Sequence, residues 1–279
     1  QSLCNLDLVS YNAMMSAYVE HGKPDKALQL YRELKENCED PNKLTYVICL
    51  QACSSLANED DGKFAKLALL EIGQAFHLEI LKKGLLSDVV MDSALINMYG
   101  KIGMIPEAET VFCSKLIQHN SVTLNVMISA YIENGYVEKA LELYTKMEVD
   151  CIRLDAVTIL CVLQACSETT NLHLCKRLHF SIISTGLDTS STLMNTLLNA
   201  YGCCASLLHA SAVFSSMPEP DMVSWNACIA GYAHDGNLLG CLQVFQRMHF
   251  TGVKADCVTI LSLLYACSHD GKVNEGLEY

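Results

Sequence analysis

Three short segments recur along this chain, and their repetition limits the possible folds more than any other feature. The first runs from Val9 to Tyr18 and returns at residues 122–131 and 223–232, with Asn in fourth place each time. The second ends in Ala-Cys-Ser and occupies residues 44–54, 157–167 and 258–268; the third occupies 93–100 and 195–202. The Tyr or Cys that closes each segment is a marker, found at 18, 53, 99, 131, 166, 201, 232 and 267.

The markers are separated by 35, 46, 32, 35, 35, 31 and 35 residues, so three repeat types follow one another in fixed order. A length of 279 residues would otherwise suggest about two globular domains. A period near 35 residues is instead typical of repeats that stack into a solenoid. We therefore divide the chain by its repeat and not by the size of an average domain.

Each repeat is predicted to be a pair of helices. Met127, Ile128 and Tyr131 are spaced as on one face of a helix. Four residues after a marker there is often a glycine, which suits a left-handed helix stop. These glycines are Gly22, Gly103, Gly135, Gly236 and Gly271.

The second helix of each pair carries a small residue nine positions after the marker. These small residues are Ala27, Ala108, Ala140, Ala210 and Cys241. An apolar stripe such as Leu141, Leu143, Tyr144 and Met147 follows. A single pair of helices cannot bury its apolar face, so the pairs must stack on one another. The predicted fold class is all-α, an α-solenoid.

Composition excludes several other classes. With 51% hydrophobic residues the chain is not disordered, yet apolar runs such as Val157 to Leu163 are too short to span a membrane. The 31 acidic and 19 basic residues give a net charge of −12, which argues against coating nucleic acid by bulk charge.

Fifteen cysteines are present without any Cys-x-x-Cys, so we expect no zinc knuckle and no cofactor. We expect buried, reduced thiols instead, with Cys53, Cys166 and Cys267 filling a shared packing position at the end of a first helix.

Periodicity alone leaves tetratricopeptide, HEAT-like and pentatricopeptide repeats open. The motifs Val-Ser-Tyr/Trp-Asn-Ala, Gln-Ala-Cys-Ser and Leu-Leu-Asn-Ala-Tyr-Gly resemble those of the pentatricopeptide repeat family. They are similar to its plant PLS subclass, in which three repeat lengths alternate. The resemblance covers residues 8–279 and implies one array over 1–279, a fragment of a longer array. Its repeats would be 8–42, 43–88, 89–120, 121–155, 156–190, 191–221, 222–256 and a truncated 257–279, after the end of an earlier repeat in 1–7.

The resemblance implies binding of single-stranded RNA, one nucleotide per repeat. In the family, a residue near the start of each first helix reads the base together with the last residue of the repeat. Transferred to this sequence, the reading pairs are Asn12 with Asn42, Ser93 with Asn120, Asn125 with Asp155, Asn195 with Asp221, and Asn226 with Asp256. The family code then implies the target pyrimidine, any base, A, U, any base, U, U. The two positions of any base belong to Val47 with Asp88 and to Leu160 with Ser190, because Val47 and Leu160 are apolar.

Branched side chains precede the reading residues by three positions, and the resemblance implies that they wedge between successive bases. These residues are Val9, Val90, Val122, Thr192 and Val223. Independently of the family, an amide or carboxylate can hydrogen-bond the exposed edge of an unstacked base. A simpler alternative is that the Asn at each helix start is a cap or a solvated residue. Four such residues at equivalent places, each with a polar partner, favour base reading.

The second repeat carries 11 extra residues around 58–69, because Cys53 and His77 are further apart than Cys166 and His179. Eleven residues make about three helical turns, which would keep the apolar stripe in phase. The sequence therefore predicts either a protruding loop or a longer second helix that begins near Asp60 or Asp61.

Some members of the subclass continue into a zinc deaminase-like domain with a His-x-Glu motif and Pro-Cys-x-x-Cys. His77-Leu-Glu79 supplies only the first half, and His179 lacks the matching Glu, so we predict packing roles, no metal site and no enzyme activity. The resemblance implies site recognition in C-to-U editing of RNA in a mitochondrion or chloroplast, with a deaminase or other editing factors as partners in trans and no membrane. The alternative is a protein-binding scaffold in an organellar RNA-processing complex.

Overall fold

A computed structural model of the chain describes residues 7–59, 63–86, 88–114, 120–150, 152 and 154–269. These residues form fifteen α-helices and no β-strand. The helices are α1 (Leu8–Glu20), α2 (Pro24–Glu36), α3 (Lys43–Glu59), α4 (Lys63–Lys82), α5 (Val89–Ile102), α6 (Ile105–Cys113), α7 (Ser121–Glu133), α8 (Val137–Val149), α9 (Ala156–Thr169), α10 (Leu172–Ser184), α11 (Ser191–Cys203), α12 (Leu207–Ser216), α13 (Met222–His234), α14 (Leu238–Phe250) and α15 (Cys257–His269). They group into two compact units, Gln1–Arg153 and Leu154–Tyr279, and each is described by itself.

Both units are stacks of helical hairpins. In the first, α1, α3, α5 and α7 pack side by side as a row of first helices, and α2, α4, α6 and α8 each pack on the first helix before them. In the second, α9, α11, α13 and α15 form the row, with α10, α12 and α14 as second helices. The predicted all-α solenoid is confirmed. No helix in the described parts of the chain is both long and apolar enough to cross a membrane.

The turn between the helices of a hairpin depends on glycine where the sequence predicted it. Gly22, Gly103, Gly135 and Gly236 all have positive φ, between 66° and 93°. A residue with a Cβ would be strained in this conformation, so glycine ends the first helix cheaply. Gly271 lies outside the described residues.

The core between paired helices contains the small residues predicted for it. Ala27, Ala108, Ala140, Ala210 and Cys241 are at most 4% exposed. The marker cysteines Cys53, Cys166 and Cys267 are buried as well, as predicted. Burial raises the pKa of the Cys53 and Cys166 thiols to about 12, so both are neutral and act as small apolar side chains.

The prediction of buried thiols is wrong for six cysteines in the described residues, of which three are half-buried and three exposed. Cys38, Cys113 and Cys257 are exposed, although every cysteine in the described residues is a free thiol. Cys113 and Cys257 lie at the last and first positions of their helices, and Cys38 lies in a turn. These sites are away from the helix faces that pack, which is why the repeat does not bury them.

The extra segment of the second repeat lengthens a helix. Helix α4 has 20 residues, whereas α10, its counterpart in the other repeat of this type, has 13. Residues 63–69 are helical, so the loop alternative is wrong for them; Asp60 and Asp61 lie outside the described residues. The longer helix still buries Leu69, Phe76 and Ile80, in keeping with an insertion of whole turns.

Candidate functional site

The second residue of each predicted pair is the N-cap of the next first helix. Each has a side-chain oxygen that accepts a hydrogen bond from a backbone N–H of the first turn. The bonds are Thr45 N to Asn42, Val90 N to Asp88, Thr123 N to Asn120, Thr158 N to Asp155, Leu193 N to Ser190, Ser224 N to Asp221 and Thr259 N to Asp256. This satisfies an otherwise unpaired donor at the helix start. The cap role therefore belongs to the second residue of each pair.

The first residue of each Asn-containing pair is buried in the second turn of its helix. Asn12, Asn125, Asn195 and Asn226 are between 4% and 9% exposed. They are neither caps nor solvated residues, so the simpler sequence alternative is wrong for them. A buried amide needs partners, because leaving it without hydrogen bonds costs about 1–3 kcal/mol.

Asn226 finds those partners in the last residue of its own repeat and in the first turn of the next. Its Nδ2 donates to Asp256 Oδ1 at 3.1 Å and Oδ2 at 3.0 Å, and the Thr259 hydroxyl donates to its Oδ1 at 2.6 Å. A carboxylate only accepts hydrogen bonds, so the amide nitrogen must face Asp256. Within this arrangement one N–H and one lone pair of the Asn226 amide are not used.

The same bridge joins two further pairs. Asn195 Nδ2 donates to Asp221 Oδ1 at 3.1 Å, and Ser224 Oγ donates to Asn195 Oδ1 at 2.7 Å. In the first unit, Asn12 Nδ2 donates to Asn42 Oδ1 at 3.2 Å, and Thr45 Oγ1 donates to Asn12 Oδ1 at 2.8 Å. The structure thus brings both members of three predicted pairs into hydrogen-bond contact.

The carboxylates in these bridges are stabilised in their ionised form. The backbone hydrogen bond from Ser224 lowers the pKa of Asp221, and the one from Thr259 lowers the pKa of Asp256. Both therefore remain acceptors at neutral pH.

The Ser93 and Asn120 pair is not bridged in this way. The Ser93 hydroxyl is buried without a hydrogen-bond partner in the described structure, while Asn120 caps α7 and its Oδ1 accepts from the Thr123 hydroxyl at 3.2 Å. Asn125 lies in the first unit and Asp155 in the second. Asp155 accepts from Thr158 N and from its hydroxyl, both at 2.9 Å.

The two pairs with an apolar first residue differ from each other. Val47 is buried, and Asp88 forms an ion pair with Lys43 instead. Leu160 is half-buried and borders a cavity of about 300 Å³ on α9 and α11, together with Gln164, Glu168 and Asn199.

The predicted wedge residues stand out from the first helices. Val9, Val90, Val122 and Val223 are between 49% and 74% exposed, and Thr192 is exposed as well. Sequence reasoning missed Leu44, Val157 and Val258, which are 52–54% exposed two positions after a cap, as the others are. Their shared place in the recurring segments is the sequence signal that could have identified them. Eight helices therefore present an exposed side chain, apolar in seven of them, at one register.

The hydroxyls that orient the buried amides were missed too. Thr45, Ser224 and Thr259 lie three residues after a cap and donate to the Asn of the preceding repeat. A Val or Leu followed by Thr or Ser marks them in the sequence. Their partner lies about 30 residues away, which the local pattern did not reveal.

His77 and Glu79 have structural partners. His77 Nδ1 is 2.9 Å from the Tyr99 hydroxyl, and His179 makes the same contact with Tyr201. Glu79 accepts hydrogen bonds from Tyr31 and Tyr46. Across the described residues, no three His, Cys, Asp or Glu side chains are grouped to hold a metal ion.

Comparisons with known proteins agree with this architecture. A profile of the PPR repeat family matches residues 6–55, 119–168 and 220–269, more than half of the chain, and a PPR repeat profile matches 93–114. Among solved structures, pentatricopeptide repeat protein PPR10 from maize has a TM-score of 0.79 at 20% identity, covering 99% of this chain and 38% of that one. PPR10 in complex with an 18-nt psaJ RNA element has the same TM-score and identity, covering 98% and 39%.

Curated relatives come from Arabidopsis thaliana. A chloroplastic pentatricopeptide repeat-containing protein is 32% identical over 99% of this chain and 32% of its own length. A mitochondrial one is 31% identical over 98% of this chain and 31% of its own length. The chain thus spans about a third of the length of these relatives. Because the repeat profiles match most of its hairpins, the chain belongs to the pentatricopeptide repeat family.

Proposed function

We propose that this chain binds single-stranded RNA along its first helices, with one nucleotide per repeat. The repeats in this proposal are those delimited from the sequence, each opening with a first helix. The bases would lie between successive wedge residues, and the polar pair at each repeat would face the base edge.

The row of exposed wedge residues is the observation that carries this proposal. Exposed apolar side chains are common singly, but seven at one register of eight helices call for an explanation. They are spaced once per repeat, and Val9 and Val223 precede a bridged Asn by three residues. Flat apolar base faces suit such a row, because single-stranded nucleic acid binds largely by stacking its bases on side chains.

The bridged pairs supply donors and acceptors for the base edge. Asn226 keeps one amide N–H and one lone pair, and Asp256 keeps an ionised carboxylate. The bridge also fixes these groups before the base arrives, so less side-chain freedom is lost on binding. The family code relates Asn with Asp to uracil, Asn with Asn to a pyrimidine, and Ser with Asn to adenine.

The net charge of −12 limits how the RNA would be held. Acidic residues such as Glu33, Glu36 and Glu39 are exposed on and after α2, a second helix. Few phosphate contacts imply weak dependence of binding on salt, because that dependence reflects the number of neutralised phosphates. Affinity would then come mainly from contacts with the bases.

In a plant cell this activity would serve site recognition in C-to-U editing of organellar RNA. The relatives named chloroplastic and mitochondrial support an organelle. The rotation of three repeat types supports the PLS subclass. A deaminase, in the same protein or recruited as a partner, would perform the chemistry.

A protein-binding scaffold is the second candidate. Exposed Leu78 and Leu81 on α4 match exposed Phe180 and Ile183 on α10, at equivalent positions of two second helices. These apolar pairs are on second helices and so are separate from the wedge row. An amphipathic partner helix could cover such a pair.

The test of RNA binding replaces one reading residue. Fluorescence anisotropy should show that Asn226→Thr changes the preferred base opposite its repeat from uracil to guanine, as the family code implies. Discrimination against a wrong base of about tenfold in Kd is expected from one good polar pair. The matched control is Asn199→Thr, the same change at an exposed position of a first helix, which should leave the preference unchanged. A wild-type chain indifferent to the base opposite Asn226 would refute base reading, and absence of RNA binding would favour the scaffold.

A further inference from the structure

The residue that opens each first helix, directly after the cap, is charged in one repeat. Among the eight first helices this position holds Leu8, Lys43, Val89, Ser121, Ala156, Ser191, Met222 and Cys257. Lys43 therefore places a cation beside the predicted reading pair of its repeat, where the other seven helices begin with uncharged residues.

Lys43 contacts the cap residue Asp88, which the apolar side chain of Val47 cannot bind. Val47 follows Lys43 by four residues on α3, so both lie on one face of the helix. Val47 is buried and has no polar atom in its side chain. The Lys43 ammonium forms an ion pair with Asp88 Oδ2, while Asp88 Oδ1 accepts from Val90 N at 3.3 Å. Asp88 is thus held by a lysine where Asp256 is held by Asn226.

A nucleotide would have the same supports here as in the bridged repeats. Leu44 and Val90, the wedge residues on either side, are 54% and 52% exposed. The Lys43 side chain is 44% exposed, so its ammonium is open to a ligand while it contacts Asp88. An ammonium carries three protons, and Asp88 needs only one or two of them.

We propose that Lys43 selects the base at this repeat, and that it favours the keto bases uracil and guanine. This inference rests on the proposed RNA binding. It changes the sequence-based reading of the Val47 repeat, which left that position open to any base.

The chemistry of the pair favours a keto edge. A lysine only donates hydrogen bonds, and a carbonyl oxygen is a strong acceptor for a charged donor. In uracil and guanine that oxygen lies next to a ring N–H, which the Asp88 carboxylate can accept. In adenine and cytosine the corresponding substituent is an amine, whose protons are repelled by the ammonium.

The other repeat of this type provides a contrast within the same chain. At the positions of Lys43, Val47 and Asp88 it has Ala156, Leu160 and Ser190. These three side chains carry no charge, and Ser190 caps α11. We expect no base preference opposite that repeat.

The experiment measures Kd for four RNAs that differ only at the second nucleotide of the implied target. The wild-type chain should bind the uracil and guanine RNAs about tenfold more tightly than the other two, as one charged hydrogen bond allows. Lys43→Met keeps the apolar stem but removes the charge, and its four Kd values should agree within about twofold. Circular dichroism of the variant should match the wild type, because the lysine is on the surface.

A second experiment places a lysine and an aspartate at the equivalent positions of the other repeat of this type, and tests whether this pair is sufficient for base selection. The double substitution Ala156→Lys with Ser190→Asp keeps a good capping residue and should create a keto preference opposite the Leu160 repeat. Equal weakening of all four RNAs by Lys43→Met would indicate a phosphate contact and overturn the proposal, and so would unchanged discrimination.

RNAs varied opposite Asn195 and Asn226 are titrated alongside. If bases are discriminated there but not opposite Val47, the Lys43 proposal alone fails. If none of the three positions discriminates, base reading itself fails.

Discussion

The hairpins α3–α4 and α9–α10 are two copies of one repeat type, yet their polar contacts differ. Both contain a histidine on the second helix bonded to a tyrosine of the next first helix at 2.9 Å, His77 to Tyr99 and His179 to Tyr201. Only α4 has a carboxylate two residues after its histidine, Glu79, which accepts from Tyr31 at 3.0 Å, Tyr46 at 2.8 Å and Lys35 at 3.1 Å.

In α9–α10 the residues at the places of Tyr46 and Glu79 are Ile159 and Ser181. Ile159 is fully buried and needs no acceptor. The two hairpins show that a repeat fixes the contacts between its helices at a few positions and leaves others free. Among the free positions, Tyr46 depends on Glu79, because without that acceptor its buried hydroxyl would lose its hydrogen bond.

The largest difference between the two hairpins should come from Glu79. Glu79→Ala removes the acceptor of two largely buried tyrosine hydroxyls and should lower the free energy of unfolding by about 2–3 kcal/mol. Ser181→Ala, at the equivalent place, should change it by less than about 0.5 kcal/mol. Urea denaturation followed by circular dichroism measures both, and equal effects would contradict the assigned role of Glu79.

As the pH falls, the two hairpins should first lose stability alike, through their histidines, and then differ at lower pH. Burial lowers the pKa of His77 and of His179, so each histidine favours the folded state above its unfolded pKa of about 6.5. This contribution is lost as the pH falls through the lowered folded values. His77→Gln and His179→Gln should therefore each flatten the decline of Tm in mild acid.

Glu79 adds a second transition to the α3–α4 hairpin. Burial alone would raise its pKa, but the hydrogen bonds from Tyr46, Lys35 and Tyr31 lower it below the usual value near 4.5. Its stabilisation is present above the unfolded pKa and disappears as the pH falls through the lowered folded one. Thermal scans of Glu79→Gln should lack this steeper acid decline, whereas the histidine variants should keep it.

The smallest predicted effects concern the wedge residues that the two hairpins have in common. Leu44 and Val157 are both 54% exposed at one register, so Leu44→Ser and Val157→Ser should weaken RNA binding to a similar extent. We expect about a threefold rise in Kd for each, because stacking on an aliphatic side chain is weaker than on an aromatic one. Leu208→Ser, at an exposed leucine of α12, is the control that should have no effect. If only one of the two wedge substitutions weakened RNA binding, the two repeats would not hold their nucleotides in the same way.

Much of the fold could be predicted because its cause is local and repeated. The glycines at 22, 103, 135 and 236 end their helices because they adopt a positive φ. The alanines at 27, 108 and 140 are small and buried where two helices pack together. Each repeat restates the same requirement, so a signal too weak in one copy becomes clear in several. The exposed Cys38 and Cys113 were misassigned because composition says nothing about which face of a repeat a residue occupies.

The candidate site could be predicted only as a list of positions. Asn226, Asp256 and Val223 follow from the recurring segments, but the Thr259 hydroxyl that fixes the Asn226 amide does not. The two residues are 33 apart in sequence, and their contact depends on how one hairpin stacks on the next. The ion pair between Lys43 and Asp88, 45 residues apart, has the same origin.

The sequence by itself determined that this protein is an all-α array of helical hairpins, because each repeat carries its own helix stops, small contact residues and apolar stripe. Only the tertiary structure decided which polar groups meet. Asn226 meets Asp256, Glu79 meets Tyr46, and Lys43 meets Asp88 only when distant parts of the chain pack together. Local patterns recur along the chain, whereas contacts between residues far apart in sequence depend on distances of a few ångströms that only helix packing sets.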